Sequence, residues 1–144
     1  RVGEQDVTLH LRVPEQPVYV IGNAVRLEQV IVNLISNALD AMRERPQRDL
    51  TIALERGEQR ASLEVRDTGR GIAREHLSSV FDPFYTTKDV GQGLGLGLSI
   101  SYGIIQDMGG EISVESTLDR GTTFRIVVPL AGILAPHTAV AIQT

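Results

Sequence analysis

The chain contains no cysteine and no tryptophan, and its six aromatic residues make up only 4% of the sequence. Without cysteine there can be no disulfide and no thiolate metal site, which fits a reducing compartment. So few aromatics leave little to build a base-stacking platform for single-stranded nucleic acid. A basic surface is missing too: the formal net charge is −4, whereas binding a phosphate backbone requires clustered cations. No apolar run reaches membrane-spanning length, and no signal-peptide pattern opens the chain. What is present is ordinary for a globular domain, with 42% hydrophobic and 22% charged residues over 144 positions. That length predicts one domain with a single core, assigned to residues 1–130, followed by a tail over 131–144 with weak periodicity and no assigned role. Arg1, without a preceding Met, reads as the start of a fragment of something longer.

Glycine is the one residue in conspicuous supply. Gly91, Gly93, Gly95 and Gly97 alternate in GQGLGLGLS and run at once into LSISYGIIQDM, an apolar-periodic helical stretch. Glycine allows close backbone approach to a ligand. A helix start adds unpaired N–H groups and a partial positive charge. The combination suits a phosphate cradle, with Lys88 upstream as a candidate cation; on its own it also suits a surface linker.

The pattern along the rest of the chain is mixed. VTLHLRV (Val7–Val13) alternates like a half-buried strand with His10 on its polar phase, and VYVIG (Val18–Gly22) reads as a second strand. Asn23 is a natural N-cap for a long helix running to about Arg45, ahead of Pro46. Its apolar stripe is Leu27, Val30, Ile31, Leu34, Ile35, Ala38 and Met42. Asn33, Asn37 and Asp40 occupy a neighbouring stripe. Asparagine is a mediocre helix former, so this stripe is either an exposed polar face or a set of oxygens offered to a hard cation such as Mg²⁺. LTIALER and ASLEVRD form a predicted hairpin around Gly57. It ends in Asp67-Thr68-Gly69-Arg70-Gly71, either a turn or a carboxylate beside a backbone open to a flat ligand. A short helix follows from Ala73, with Phe81 and Phe84 expected under the glycine strip. After the helix Leu98–Met108, Gly109-Gly110 gives a stop signal, and EISVES and TTFRIVVPL close the domain as strands. His76 reads as a surface residue, and His137 carries no functional signal.

Taken in order, five segments resemble the ATP-binding domain of bacterial sensor histidine kinases, in the superfamily shared with gyrase, Hsp90 and MutL. They are NLISNALDA (Asn33–Ala41), DTGRG (Asp67–Gly71), FDPF (Phe81–Phe84), GQGLGLGLS (Gly91–Ser99) and GTTF (Gly121–Phe124). The TTK before the glycine strip and SYGII after it look like the nitrogen- and dicarboxylate-sensing type. The resemblance implies an α+β fold, a two-layer sandwich of a mixed sheet with helices on one face. It implies that Asp67 holds the adenine amino group, with Thr122 helping through a water, and that Gly69 and Gly71 line the adenine side. Asn37 would be the Mg²⁺ ligand, and Asn33 and Lys88 would act at the phosphates. The strip carrying Gly91, Gly93, Leu94, Gly95, Leu96 and Gly97 would close as a lid over the triphosphate.

Hydrolysing members of that superfamily place a glutamate four residues before the metal-binding asparagine to activate water. Here that position is Asn33, which cannot serve as a base. The implied reaction is therefore phosphoryl transfer to a protein, with ATP and Mg²⁺ as cofactors. The rivals are an ATP-hydrolysing clamp, a serine or dehydrogenase kinase on the same scaffold, and a non-catalytic nucleotide module. None of His10, His76 or His137 lies in a phosphoacceptor pattern, so the acceptor is expected on a dimerisation domain upstream. A response regulator receiver domain is the implied downstream partner. The implied setting is the cytoplasmic portion of a homodimeric sensor, whether membrane-anchored or not, with this fragment monomeric by itself.

Overall fold

A computed structural model describes residues 6–83, 97–131 and 139–142, the last four by their backbone only. Five strands form one sheet: β1 (Thr8–Arg12), β3 (Asp49–Arg56), β4 (Arg60–Asp67), β6 (Gly121–Pro129) and β5 (Glu111–Thr117), in that spatial order. β1 runs parallel to β3 and every other pairing is antiparallel, so the sheet is mixed. α1 (Ala24–Ala41) and α2 (Gly97–Asp107) pack together and cover one face. This is the α+β two-layer arrangement that the resemblance implies.

Register explains the division into faces. Leu50, Leu54, Leu63, Val65, Phe124, Ile126 and Val128 all fall on the phase facing the helices and are buried. Glu64, Arg66 and Arg125 alternate onto the other face, where Glu64 lies 3.6 Å from both arginines. From α1 come Leu27, Val30, Leu34 and Ala38, with Met42 at its C-cap; burying a leucine as fully as Leu34 contributes about 1.5–3 kcal/mol. The Asn23 carboxamide accepts the Arg26 N–H at 3.1 Å, as an N-cap should. The helix stops at Ala41, four residues short of the predicted Arg45, because Met42 to Arg45 pass into turns. α2 ends in a Schellman turn: Gly109 takes φ +76°, its N–H reaches Gln106 O, and the Gly110 N–H reaches Ile105 O.

Two expectations need correction. β1 is exposed along its whole length, not half-buried, with Leu9 and Leu11 about half accessible. Among the described residues it is an edge strand paired with β3 alone, and α1 lies over β4 and β6 instead. The segment after 130, for which the sequence predicts no element, supplies β7 (Ala139–Ile142). β7 pairs antiparallel with β2 (Val18–Ile21) in a separate two-stranded ribbon, tied to the main sheet through the Val20–Leu130 bridge. The short helix after Ala73 is a 3₁₀ segment, Arg74–Ser79.

Candidate functional site

The first part of the site forms where β4, β6 and β5 end together. Asp67 pairs with Thr122 across one ladder and Ser116 pairs with Thr122 across the next, so the three share one rung on the helix-covered face. Asp67 and Thr122 are each only 5% exposed, polar side chains on a phase otherwise given to the core. Burial pushes the Asp67 carboxyl up to about 6, although the N–H groups of Gly69 and Thr122 and the charge of Arg70 pull the other way. The Gly69 N–H donates to Asp67 Oδ1 at 2.8 Å, closing the turn.

The two glycines of DTGRG are required by close approach. A Cβ on Gly69 would lie 2.5 Å from Ala41 O, the same carbonyl that accepts the Arg70 N–H at 2.9 Å. The loop thus docks onto the C-terminal turn of α1, and Arg70 adds a bond from its guanidinium to Asp40 O. Gly71, at φ +75°, lies against the Thr117 backbone so tightly that a side chain has no room. Across the site Arg45 reaches Asp119 in the β5–β6 turn, and the Asp119 N–H donates to Arg70 O at 2.7 Å.

The second part lies along α1. Asn33, Asn37 and Ala41 are spaced by fours and share one stripe. Asn33 donates to Ser101 Oγ at 3.2 Å, and Gly97 sits so close to the Asn33 carboxamide that a Cβ there would fall 2.5 Å from Oδ1. Asn33 therefore seats the first turn of α2, while Ala41 seats Gly69. Asn37 lies one helical turn, about 6 Å along the axis, from each of these contacts. It is part-buried, and among the described residues its carboxamide has no hydrogen-bond partner. Asp40, on the flank of the stripe, pairs with Arg43 at 2.7 Å.

The structure thus brings together Asn33 and Gly97 at one end, Asp67, Gly69 and Thr122 at the other, with Asn37 between and Gly71 beyond. Phe81 packs on Tyr102 of α2 at 5.6 Å and edge-on against Phe124 of β6 at 6.2 Å. Phe84, Lys88, Gly91, Gly93, Leu94, Gly95 and Leu96 lie outside the described residues, as does His137. His10 is half exposed and 3.5 Å from Asp49, and His76 is exposed, so both are surface residues as expected. Glu28, the acidic residue on α1 before Asn33, is exposed. Ser116 was not singled out by sequence reasoning. Its signal was readable, because in EISVES it shares the inward phase with Ile112 and Val114 and is the polar residue on it.

Residues 22–132 match the family model described as histidine kinase-, DNA gyrase B- and HSP90-like ATPase. The chain belongs to this family. Among its relatives, the sensor kinase CckA of Brucella abortus is 44% identical over 117 residues, covering 72% of this chain and 12% of CckA. The C4-dicarboxylate transport sensor protein DctB of Rhizobium meliloti is 41% identical over 124 residues, covering 86% of this chain and 19% of DctB. The chain therefore spans a fifth or less of the length of these two relatives. Among solved structures, the mycobacterial sensor histidine kinase MprB superposes with a TM-score of 0.78 at 26% identity, covering 92% of this chain and 90% of that one. Full-length ShkA in complex with AMPPNP superposes at 0.77 and 26% identity, covering 94% of this chain and 28% of that one. The chain is a histidine kinase-type ATPase domain, and CckA and MprB among these are a sensor kinase and a sensor histidine kinase. Among the described residues no helix is long and apolar enough to cross a membrane.

Proposed function

We propose that this domain binds Mg-ATP and donates the γ-phosphoryl group to a histidine on a dimerisation domain upstream in the parent protein. The observation that carries this reading is the facing of the buried Asp67–Gly69–Thr122 cluster and the Asn33–Asn37–Ala41 stripe, joined where Gly69 docks on Ala41. Asp67 offers an acceptor to the adenine amino group, with Thr122 beside it. Asn37 offers an uncommitted amide oxygen to a cation. Among the described residues no three His, Cys, Asp or Glu side chains converge. That donor set fits Mg²⁺, which takes one or two protein oxygens and completes its shell with waters and phosphates. When bound, the ion would neutralise phosphate charge. The AMPPNP complex of ShkA, an ATP-analogue complex of the same fold, supports the ligand class.

Asn33 supports transfer over hydrolysis. It stands where a water-activating glutamate would, it cannot act as a base, and its amide is engaged with Ser101. Phosphoryl transfer is mainly positioning and charge neutralisation, which such a site can supply. The DctB relative supports a dicarboxylate-sensing parent within the nitrogen- and dicarboxylate-sensing type. The remaining parts of the reading are a homodimeric, cytoplasmically acting kinase, Lys88 with the Gly91–Gly97 strip over the triphosphate, and a response regulator receiver domain downstream.

The test uses γ-labelled ATP. The isolated chain should bind ATP in Mg²⁺ yet acquire no label, and a histidine in the upstream portion should become labelled when that portion is added. Label appearing on this chain alone, or absence of ATP binding, would sink the proposal.

A further inference from the structure

We propose that Ser116 is a positioning residue that fixes the direction of the Thr122 hydroxyl and thereby biases the site toward 6-amino purines. The inference rests on the nucleotide-binding reading above and concerns which base is accepted.

The argument is a count of protons. A serine hydroxyl has one hydrogen to give and two lone pairs. Ser116 Oγ lies 2.9 Å from the Gly121 carbonyl, which can only accept, so the serine proton goes there. The Ile72 N–H donates to Ser116 Oγ at 2.7 Å and takes one lone pair. Thr122 Oγ1 lies 2.7 Å from the same oxygen, and only one hydrogen remains for that contact, its own. Thr122 therefore donates to Ser116 and keeps nothing but lone pairs for a ligand.

That polarity selects. An acceptor beside the Asp67 carboxylate suits the amino group of adenine. A single water relaying the contact would donate one O–H to Thr122 and direct the other at an acceptor, which the adjacent ring nitrogen of adenine is. In 6-oxo purines the exocyclic oxygen is an acceptor set against two acceptors, the Asp67 carboxylate and the Thr122 oxygen, so that contact is mismatched. A relaying water can turn a lone pair to the ring N–H, and the discrimination lies at the exocyclic group. Ser116 touches no ligand in this scheme. It acts through Thr122, and its ties to Ile72 and Gly121 hold the two glycine turns on either side of the base site together.

The experiment compares equilibrium binding of ATP and inosine triphosphate by calorimetry on the whole chain, before and after substitution. In Ser116→Ala the Thr122 hydroxyl is freed to rotate and donate, and the ATP preference should fall roughly fivefold to tenfold, the size of one mispaired hydrogen bond. Ser116→Thr keeps the hydroxyl and should hold the ratio within about twofold, a rescue that loss of packing would not give. A Ser116→Ala protein that weakens both nucleotides equally overturns the inference and leaves the ATP reading standing. Should Ser116→Ala not fold, Thr122→Val decides: a lost preference supports the inference and an unchanged one overturns it. Wild-type protein that binds neither nucleotide defeats the ATP reading itself, and this inference with it.

Discussion

The two ends of the proposed site are built in opposite ways. At the base end the polar side chains are each tied into the fold by at least one bond: Asp67 to the Gly69 N–H, Ser116 to Ile72, Gly121 and Thr122, and Arg45 and Arg70 to the turns around them, although Arg45 Nε is buried without a partner among the described residues. Along α1 the polar stripe is only partly committed. Asn33 and Ala41 are taken up in seating neighbouring elements, while Asn37 between them has no partner among the described residues. A network bonded on several sides holds its geometry before any ligand arrives, whereas an unpaired amide gains its interaction only when a cation is delivered. On the proposed reading the base end would govern stability and selectivity, and the α1 stripe would govern dependence on metal.

The sharpest way to break that contrast is to load strain on the base end. Gly121 sits at φ +138°, and a Cβ there would fall 2.0 Å from Asp67 O. Gly121→Ala should destabilise the domain by about 3 kcal/mol or more, read as a lowered denaturant midpoint. A loss below about 1 kcal/mol would mean that the base end is softer than its contacts imply.

Next comes pH. The folded-state pKa of Asp67 is raised from 3.8 to about 6, so the folded protein keeps this proton to higher pH than the unfolded chain does. The group's stabilisation is then fully present below about pH 4 and is lost as pH rises through about 6, a change of order 3 kcal/mol. Urea unfolding of wild type and Asp67→Asn across pH 4 to 7 should show their difference shifting in that direction. A pH-independent difference contradicts it. The same variant should also lose its preference for ATP over GTP by roughly tenfold, the size of one lost charged hydrogen bond.

The smallest effect in free energy is the most specific to the other end. Asn37→Ala removes an uncommitted side chain, so stability should move little. Its Kd for ATP should rise roughly tenfold in Mg²⁺ and hardly at all in EDTA. Equal weakening in both would place Asn37 on the nucleotide and not on the metal.

Much of the fold was legible because its signals are local. The α1 stripe, the Asn23 cap, the hairpin around Gly57 and the Gly109 stop each depend on a few adjacent residues whose periodicity or backbone freedom has one structural outcome. The exposure of β1 is not legible in its sequence, because alternation reports which face a side chain takes and says nothing of whether a helix covers it. β7 is not legible either, because its pairing with β2 spans most of the chain and follows a segment of weak pattern. Asp67, Asn37 and the glycines were singled out as residue types that a core or helix does not need. Ser116 stands out in EISVES only as a polar residue on the inward phase, and what it does there depends on neighbours that the sequence does not give.

By itself, then, the sequence determined the helices, most of the strands, the buried stripe and the candidate donors, since backbone freedom and hydrophobic period are properties of neighbouring residues. Only the tertiary structure decided that Asp67, Thr122 and Ser116 stand on one rung, that Gly69 rests on Ala41, and that, among the described residues, Asn33 is engaged while Asn37 is not. Hydrogen bonds have direction and saturate. Which donor meets which acceptor is therefore fixed by strand register and helix docking, over separations such as the 74 residues from Arg45 to Asp119.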